Sequence, residues 1–538
     1  MNLRPERARV LSSLDCAPGS GGPPFRVGVA FDSPRPPRWV AAFVEFLNDL
    51  PGIAVDVLPV AGPGSPRMQG PSGLMGALYK RSRRRFDPFG EAEAERGGTA
   101  ASGPVGLEAA AGLNLGLLIW LATVGETQSD LRRLATHGAL AVRLGRGEGA
   151  VPFWEEVAAE EPTSTVTIYW HESVLSRGRP VRRAETGTVQ GLDFTTNAAE
   201  PLVAAMQMLA ELCLGFACKA RRYEDVLRRV PEEAVEYSVT LRYPTSVEAG
   251  RFLARKMMRS AALRLASRGR IGKWFVGVRP NTGRSIAESG DDRIAGFREI
   301  GVPRGSLEMA DPFLLEHGGR TWLLFEDVKL GGRKGRLACM EVSESGACSE
   351  MEVFLERDSH LSYPCVVPVG GELFLIPESA ATGRVDLYRF SAFPSRLELV
   401  STLYDRVPLV DTTPCRIGDR WYFFTTTTQP YMETLLFSSS RLDGPWTRHP
   451  ASPVSRSVRS CRSAGHLFWK GGRLFRPTQD CSVRYGYAIT VNEITAVTAT
   501  EFEEHPVARV MPTWAPGLLG THMWNETSRL QVIDGFRF

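Results

Sequence analysis

Long apolar runs are missing from the 538 residues. The most apolar window, Leu113–Val124 (LNLGLLIWLATV), is about a dozen residues long, short of the roughly 20 needed to span a bilayer. Cysteine is sparse and scattered: nine residues, an odd count, with no CxxC pair. The nearest two, Cys213 and Cys218, sit in an apolar, helix-like run. That pattern argues against a zinc ribbon or a dense disulfide framework and predicts a reducing, cytoplasmic setting. Charge of one sign is also lacking. Lys+Arg number 64 and Asp+Glu 60, a net charge of +4, so no strongly basic field points to nucleic acid. The N-terminal stretch MNLRPERARVLSSLDCAPGSGGPP holds no apolar segment of signal-peptide length. What is present, 43% hydrophobic and 23% charged residues, is typical of a soluble multidomain protein.

Two halves read differently. From Arg26 to about Ala220, short apolar runs alternate with helical patterns. Arg26–Phe31, Ile53–Val60, Leu113–Leu121, Ala139–Leu144 and Thr165–Trp170 read as strands. Arg38–Leu50, Leu131–Thr136 and Ala198–Arg222 read as helices. Such alternation predicts an α/β, Rossmann-like domain with a mostly parallel sheet. The segment 61–106 is rich in Gly, Pro, Arg and Ser and contains the basic run 80–85 (KRSRRR). The run reads as a solvated loop, with phosphate or lipid-headgroup binding and peripheral membrane contact as its sharper reading.

From Ile271 onward the texture is one of short strands and turns. Four segments share a layout of small or polar opening residue, apolar strand, Gly-centred turn and aromatic-rich strand. They open at Asp311, Tyr363, Asp411 and Ser463, separated by 52, 48 and 52 residues. A weaker fifth unit begins at Gly520-Thr521-His522 and closes with Leu530–Ile533 and Asp534-Gly535. A period near 50 predicts a five-bladed β-propeller, with Lys273–Val278 completing the ring; a β-sandwich of similar strand density is the alternative. The expected organisation is therefore a disordered tail at 1–24, an α/β domain at 25–222, a helical linker at 223–270 and an all-β propeller at 271–538.

In a propeller the first strand of each blade lines the central channel, so the opening residues converge. Asp311 and Asp411, joined by Glu326 (LLFED) and Glu378 (IPES) on the returning strands, supply the carboxyl groups that glycosyl chemistry uses. Asp311 is assigned as base or nucleophile, Glu378 as general acid, Asp411 as the orienting group and Glu326 as a reserve. His360, Tyr363, Arg462, Arg476, Asp480 and His522 are the substrate-binding candidates, the arginines for an anionic group. Each acid has a plain alternative as a turn former, and each Arg as a partner in a blade-holding ion pair. Trp322, Trp421, Tyr422 and Tyr485 fit either stacking platforms or core.

Several of these segments carry a resemblance. Ala310-Asp311-Pro312-Phe313, Phe325-Glu326, His360-Leu361-Ser362-Tyr363-Pro364, Pro377-Glu378-Ser379, Gly444-Pro445-Trp446 and Gln479-Asp480-Cys481-Ser482 resemble the N-terminal domain of glucosamine inositolphosphorylceramide transferases. More distantly, the layout is similar to five-bladed glycoside hydrolases of the arabinanase and levansucrase type, which use two Asp and one Glu. The resemblance implies a carbohydrate-related pocket binding a glycan or a nucleotide- or lipid-linked sugar.

The N-terminal half resembles a formyltransferase domain, on RVGVAFDS, LNLGLLIWL and THGALAVRLGRGEGAVPFWEEV followed by TVTIYW. That likeness implies 10-formyltetrahydrofolate as cofactor if the domain is active; no other cofactor and no metal is indicated. Arg146 stands where the relatives carry Asp, and His137 and His171, the only histidines in this half, lie outside matching motifs. Three functions are therefore carried forward. They are glycosyl transfer or hydrolysis in the propeller, N-formylation of an amino sugar with the propeller as recognition module, and a non-catalytic glycan-binding scaffold.

Overall fold

The computed structural model describes residues 23–31, 33, 35–59, 71–92, 111–121, 133–145, 151–172, 177–189, 191–218, 235–236, 243–267, 272–288, 294–405, 407–429 and 431–538. Most of the expected N-terminal tail, Arg146 and much of the expected linker lie outside them. The chain divides into two compact units, Met1–Leu263 and Arg264–Phe538.

The first unit is built on a seven-stranded sheet: β1 (Phe25–Phe31), β2 (Ile53–Pro59), β3 (Leu117–Trp120), β4 (Ala139–Leu144), β5 (Thr163–His171), β6 (Arg177–Gly187) and β7 (Val235–Glu236), in the order β2-β1-β3-β4-β5-β6-β7. The pairs among β2, β1, β3 and β4 are parallel, and those from β4 to β7 antiparallel. The sheet is thus mixed, which corrects the expectation of a mostly parallel one. β5 shows why: alternate side chains are buried, the mark of an antiparallel strand with one covered face.

Helix α1 (Arg38–Asn48) buries Trp39, Val40, Phe43, Phe46 and Leu47, a one-sided apolar stripe. The basic run is not a loop. It closes helix α2 (Gly73–Arg83) and the following turn, where cations complement the negative end of the helix dipole. Residues 133–136, expected as helix, form a turn in which Ala135 bridges Leu115.

After the short α3 (Trp154–Ala158) comes α4 (Ala199–Ala217), packed against β4, β5 and β6. It lies in the only described helical segment, Phe194–Ala217, long and apolar enough to cross a membrane, yet 94% of that window is buried. Helix α5 (Ser246–Ser267) opens with a capping box. The Thr245 amide donates to Glu248 Oε2 (2.7 Å), while the Glu248 amide donates to Thr245 Oγ1 (3.3 Å).

The second unit is a ring of five sheets. Blade 1 opens with strand Ser306–His317, blade 2 with Ser362–Val369 and blade 3 with Val410–Ile417. Blade 4 opens in two pieces, Arg462–Ser463 and Phe468–Lys470, and blade 5 with Trp524–Glu526. Blade 5 draws on both ends of the unit: Leu530–Arg537 pairs antiparallel with Lys273–Pro280, closing the ring as the sequence led us to expect. The inner hairpins of blades 1, 2 and 4 turn on Gly318-Gly319, Gly370-Gly371 and Gly471-Gly472, all at positive φ. Two-residue turns of matching twist require positive φ at both positions, which accounts for the Gly pairs.

Candidate active site

The opening residues of blades 1, 2 and 3 share a strained backbone. Asp311, Tyr363 and Asp411 have φ of 51°, 48° and 51°, left-handed values that cost a non-Gly residue about 1–2 kcal/mol. Each sits in a bulge, where the pairing steps from Ala310–Glu326 to Phe313–Leu324, from Ser362–Glu378 to Cys365–Ile376, and from Val410–Thr426 to Thr413–Phe424. One extra residue on the inner strand re-aims its side chain. The same register makes Glu326 and Glu378 equivalent in blades 1 and 2, each opposite the residue before the bulge.

These devices assemble one cluster of charges. Asp311 is buried, its Oδ2 accepting the Tyr363 amide (3.0 Å) and its Oδ1 lying 3.1 Å from His522 Nε2. The other ring nitrogen, His522 Nδ1, lies 2.6 Å from Asp534 Oδ2. Asp534 Oδ1 in turn accepts the amides of His522 (2.8 Å) and Met523 (3.0 Å). Burial pulls the His522 pKa down, but Asp534 and Asp311 outweigh it and raise it to about 10. His522 is thus an imidazolium between two carboxylates, with Trp274 against its ring (centroids 4.1 Å apart). Burial alone would raise the Asp311 pKa; the His522 bond and charge, the Tyr363 amide and Arg462 together lower it. Asp311 is therefore held ionised.

The glutamates behave oppositely. Burial first, then the charges of Asp311, Glu378 and Glu308, push Glu326 well above the carboxylate range. Burial and the neighbouring Asp411 do the same to Glu378, against the lowering effect of Arg462. Both are thereby shifted toward the protonated form. Arg462 clamps Asp411 with two bonds (Nε to Oδ2 2.6 Å, Nη2 to Oδ1 3.1 Å) and lies 3.6 Å from Glu378 Oε2. Gln479 adds a third bond to Asp411 (3.2 Å). The side chains of Glu326 and Glu378 keep 12% of their surface exposed, against 2% for Asp411 and His522 and none for Asp534. The two acids thus keep slightly more exposed surface than Asp411, His522 and Asp534.

His360 accepts the Gly335 amide on Nδ1 (2.9 Å), and its Nε2 lies 3.4 Å from Glu326 Oε1. Burial lowers its pKa despite the charge of Asp311. The neutral ring therefore carries its proton on Nε2, facing Glu326. Tyr485, half exposed, lies under the Arg462 guanidinium (4.9 Å) and beside His522.

Four candidates are buried and engaged with other residues of the propeller. Tyr363 is wholly buried and bonds Thr413 Oγ1 (2.7 Å) and the Gly465 amide (3.2 Å), tying blade 2 to blades 3 and 4. Arg476 is fully buried against Glu504 and the Ser460 carbonyl, the blade-holding ion pair weighed as its alternative. Asp480 is buried with Arg459 and Arg509 and accepts the Ser482 amide (2.9 Å), fixing the turn that leads to Tyr485. His522 is likewise buried, held between Asp311 and Asp534. Of the four aromatic candidates only Tyr485 joins the cluster; Trp421 and Tyr422 are core, and Trp322 packs on Phe393.

The sequence reading missed Asp534 and Trp274. The Asp534-Gly535 pair reads as a turn, although it follows a strand as Glu326 and Glu378 do, and that parallel was the available signal. Among the described residues, Asp311, His522 and Asp534 offer ligand atoms within 4.8 Å of one another, as a metal site would. Here the two ring nitrogens of His522 face carboxylate oxygens, at 3.1 and 2.6 Å.

Residues 295–534 match the family profile described as glucosamine inositolphosphorylceramide transferase 1, N-terminal. The curated glucosamine inositolphosphorylceramide transferase 1 of Oryza sativa subsp. japonica is 33% identical over 208 residues, 37% of this chain and 28% of the relative. That of Arabidopsis thaliana is 32% identical over 220 residues, 39% of this chain and 28% of the relative. The chain thus spans little more than a quarter of these relatives. A family 117 glycoside hydrolase of Zobellia galactanivorans has a TM-score of 0.32 at 13% identity, covering 49% of this chain and 90% of that one. An α-L-arabinanase of Cellvibrio cellulosa gives 0.28 at 10%, covering 37% and 77%. At such scores the five blades rest on this chain's own sheets.

Proposed function

We propose that the propeller pocket is an acid–base site acting on a glycosyl bond of a glycan or glycolipid substrate. One observation carries the reading: neighbouring carboxyl groups are driven apart in pKa, Asp311 to the ionised side and Glu326 and Glu378 to the protonated side. Glycosyl transfer and hydrolysis both need this division of labour, a carboxylic acid to protonate the leaving oxygen and a carboxylate to activate the nucleophile or stabilise the oxocarbenium charge. Asp311 takes the carboxylate role and Glu378 the acid role, with Glu326, backed by His360, as the second acid. Asp411 and Arg462 orient Glu378, while Asp534 and His522 keep Asp311 charged. The half-exposed Tyr485 ring is the surface on which a sugar would stack. The likeness to the plant transferases, whose name specifies an inositolphosphorylceramide substrate, supports a lipid-linked acceptor or donor.

The test is a turnover assay with nucleotide-sugar donors, lipid-linked acceptors and aryl glycosides. Asp311→Asn and Glu378→Gln should each lower kcat by about 10²–10⁴ with ligand affinity nearly kept. Absence of turnover with every donor, combined with weaker ligand binding by Glu378→Gln, would leave a glycan-binding scaffold instead.

A further inference from the structure

The first unit carries a surface that the propeller chemistry does not use. Its basic part is the end of α2, where Lys80, Arg81, Arg84 and Arg85 are exposed. Among the described residues, Asp193 is the one carboxylate that engages this group in ion pairs, shared between Arg81 (3.8 Å) and Arg85 (2.9 Å). Four cations meeting one acid leave a strong local excess of positive charge. Helix α5 continues the surface. The start of α2 meets the start of α5, since a Cβ on Gly73 would touch Ser246 Oγ at 2.7 Å and one on Gly250 would lie 3.9 Å from Leu74.

The outward stripe of α5 is not polar, as a solvated helix face would be. Val247, Met257 and Met258 are 64%, 69% and 65% exposed, with Leu74 of α2 exposed nearby and Arg251 and Arg255 interleaved. The opposite face packs Ala249 and Phe252 onto Met75, Leu78, Trp154 and Phe194, so α5 is firmly seated and its orientation fixed. A cavity of about 350 Å³ opens beside it, lined by Trp154, Phe252, Glu155, Glu248, Arg251 and Arg255.

We infer that the α2–α5 surface of the first unit docks on an anionic lipid bilayer. Flexible, exposed apolar side chains flanked by Arg and Lys are what an interfacial helix presents: the apolar stripe enters the acyl boundary while the cations meet headgroup phosphates. Each cation near an anionic leaflet adds to the attraction, so the four at the end of α2 with Arg251 and Arg255 suffice for reversible attachment. Nucleic acid would be served by the cations but not by exposed methionines. A second copy would be served by the methionines but repelled by the cations. A charged bilayer surface accounts for both.

Vesicle sedimentation with the full chain tests this. Vesicles of phosphatidylcholine with phosphatidylserine should bind the protein at least about tenfold better than phosphatidylcholine alone, the advantage shrinking as salt is raised. Lys80→Glu with Arg84→Glu and Arg85→Glu, and separately Met257→Asp with Met258→Asp, should each lower binding about tenfold or more. Both sets lie on the surface, so a cooperative melt should be retained, lowered slightly in the first set by the lost Arg85–Asp193 pair. Equal binding to both vesicle types, or binding untouched by either set, overturns the inference. So does release by millimolar inorganic phosphate, tighter binding of a mixed-sequence oligonucleotide than of vesicles, or a dimer in lipid-free solution that the methionine variants dissolve.

Discussion

At the scale of single residues the pocket trades stability for a chemical state. Burial and neighbouring acids shift Glu378 and Glu326 toward the protonated form, where solvated carboxyls would ionise freely. A free glutamate titrates near 4.5; above that pH the unfolded chain releases protons that the folded chain retains. Stability must therefore fall as pH rises from about 4.5 toward the raised folded pKa values. Glu378→Gln removes one source of that slope. It should raise the melting temperature, by about 2–4 °C per kcal/mol relieved, and more at about pH 8 than at about pH 5. A lower melting temperature at both pH values would show that Glu378 is ionised and stabilised by Arg462. Arg462→Ala should do the opposite, because Asp411 would lose a two-bonded partner while remaining buried. About 3–5 kcal/mol is the expected loss by denaturant unfolding, with part restored when Asp411→Asn is added. A loss under 1 kcal/mol would mean that water replaces the guanidinium.

At the scale of strands and turns the geometry depends on where the backbone runs close. A Cβ on Gly335 would lie 2.2 Å from Glu326 Oε1 and 2.4 Å from the Leu361 carbonyl oxygen. Because that carbonyl is backbone and cannot swing away, Gly335→Ala should destabilise the fold by about 1–3 kcal/mol and displace Glu326 from His360. The check is denaturant unfolding together with the His360 titration followed by NMR; an unmoved His360 signal would separate the turn from the site.

Much at this level was legible beforehand. Recurrent Gly pairs between apolar runs mark hairpins, and their spacing gives the blades, so the ring and the positions of Asp311, Glu326, Glu378 and Asp411 could be read directly. Partnership could not. Nothing in the pattern of residues tells that Arg476 meets Glu504 two strands away in blade 4, or that His522 meets Asp534 across the hairpin of blade 5. β6 was invisible for another reason: RGRPVRRAETG has neither apolar alternation nor β-branched enrichment, and it is a strand because β5 offers it an edge.

At the scale of the whole ring, near-repetition supplies the frame and departures from it supply the chemistry. The same bulge presents Asp, Tyr and Asp in blades 1 to 3, so one backbone device yields a carboxylate, an inter-blade tie and a second carboxylate. The frame itself hangs on closure, since Lys273–Pro280 covers the edge of Leu530–Arg537 within a blade that also supplies His522 and Asp534. Deleting residues 272–280 would expose that edge to other chains. Aggregation in size-exclusion chromatography and loss of the cooperative melt are expected; a monomer melting as before would show that the ring does not need its closing strand.

The split in protonation is the claim on which the reading of the pocket depends, and isotope-edited infrared difference spectroscopy addresses it without any substrate. Protein with carboxyl-labelled glutamate at about pH 7 should show the carbonyl band of a protonated acid. Glu378→Gln should diminish that band, and Glu378→Gln with Glu326→Gln should diminish it further. Asp311→Asn should leave it in place. A spectrum without a protonated-acid band at that pH, both glutamates titrating near 4.5, would contradict the acid–base account.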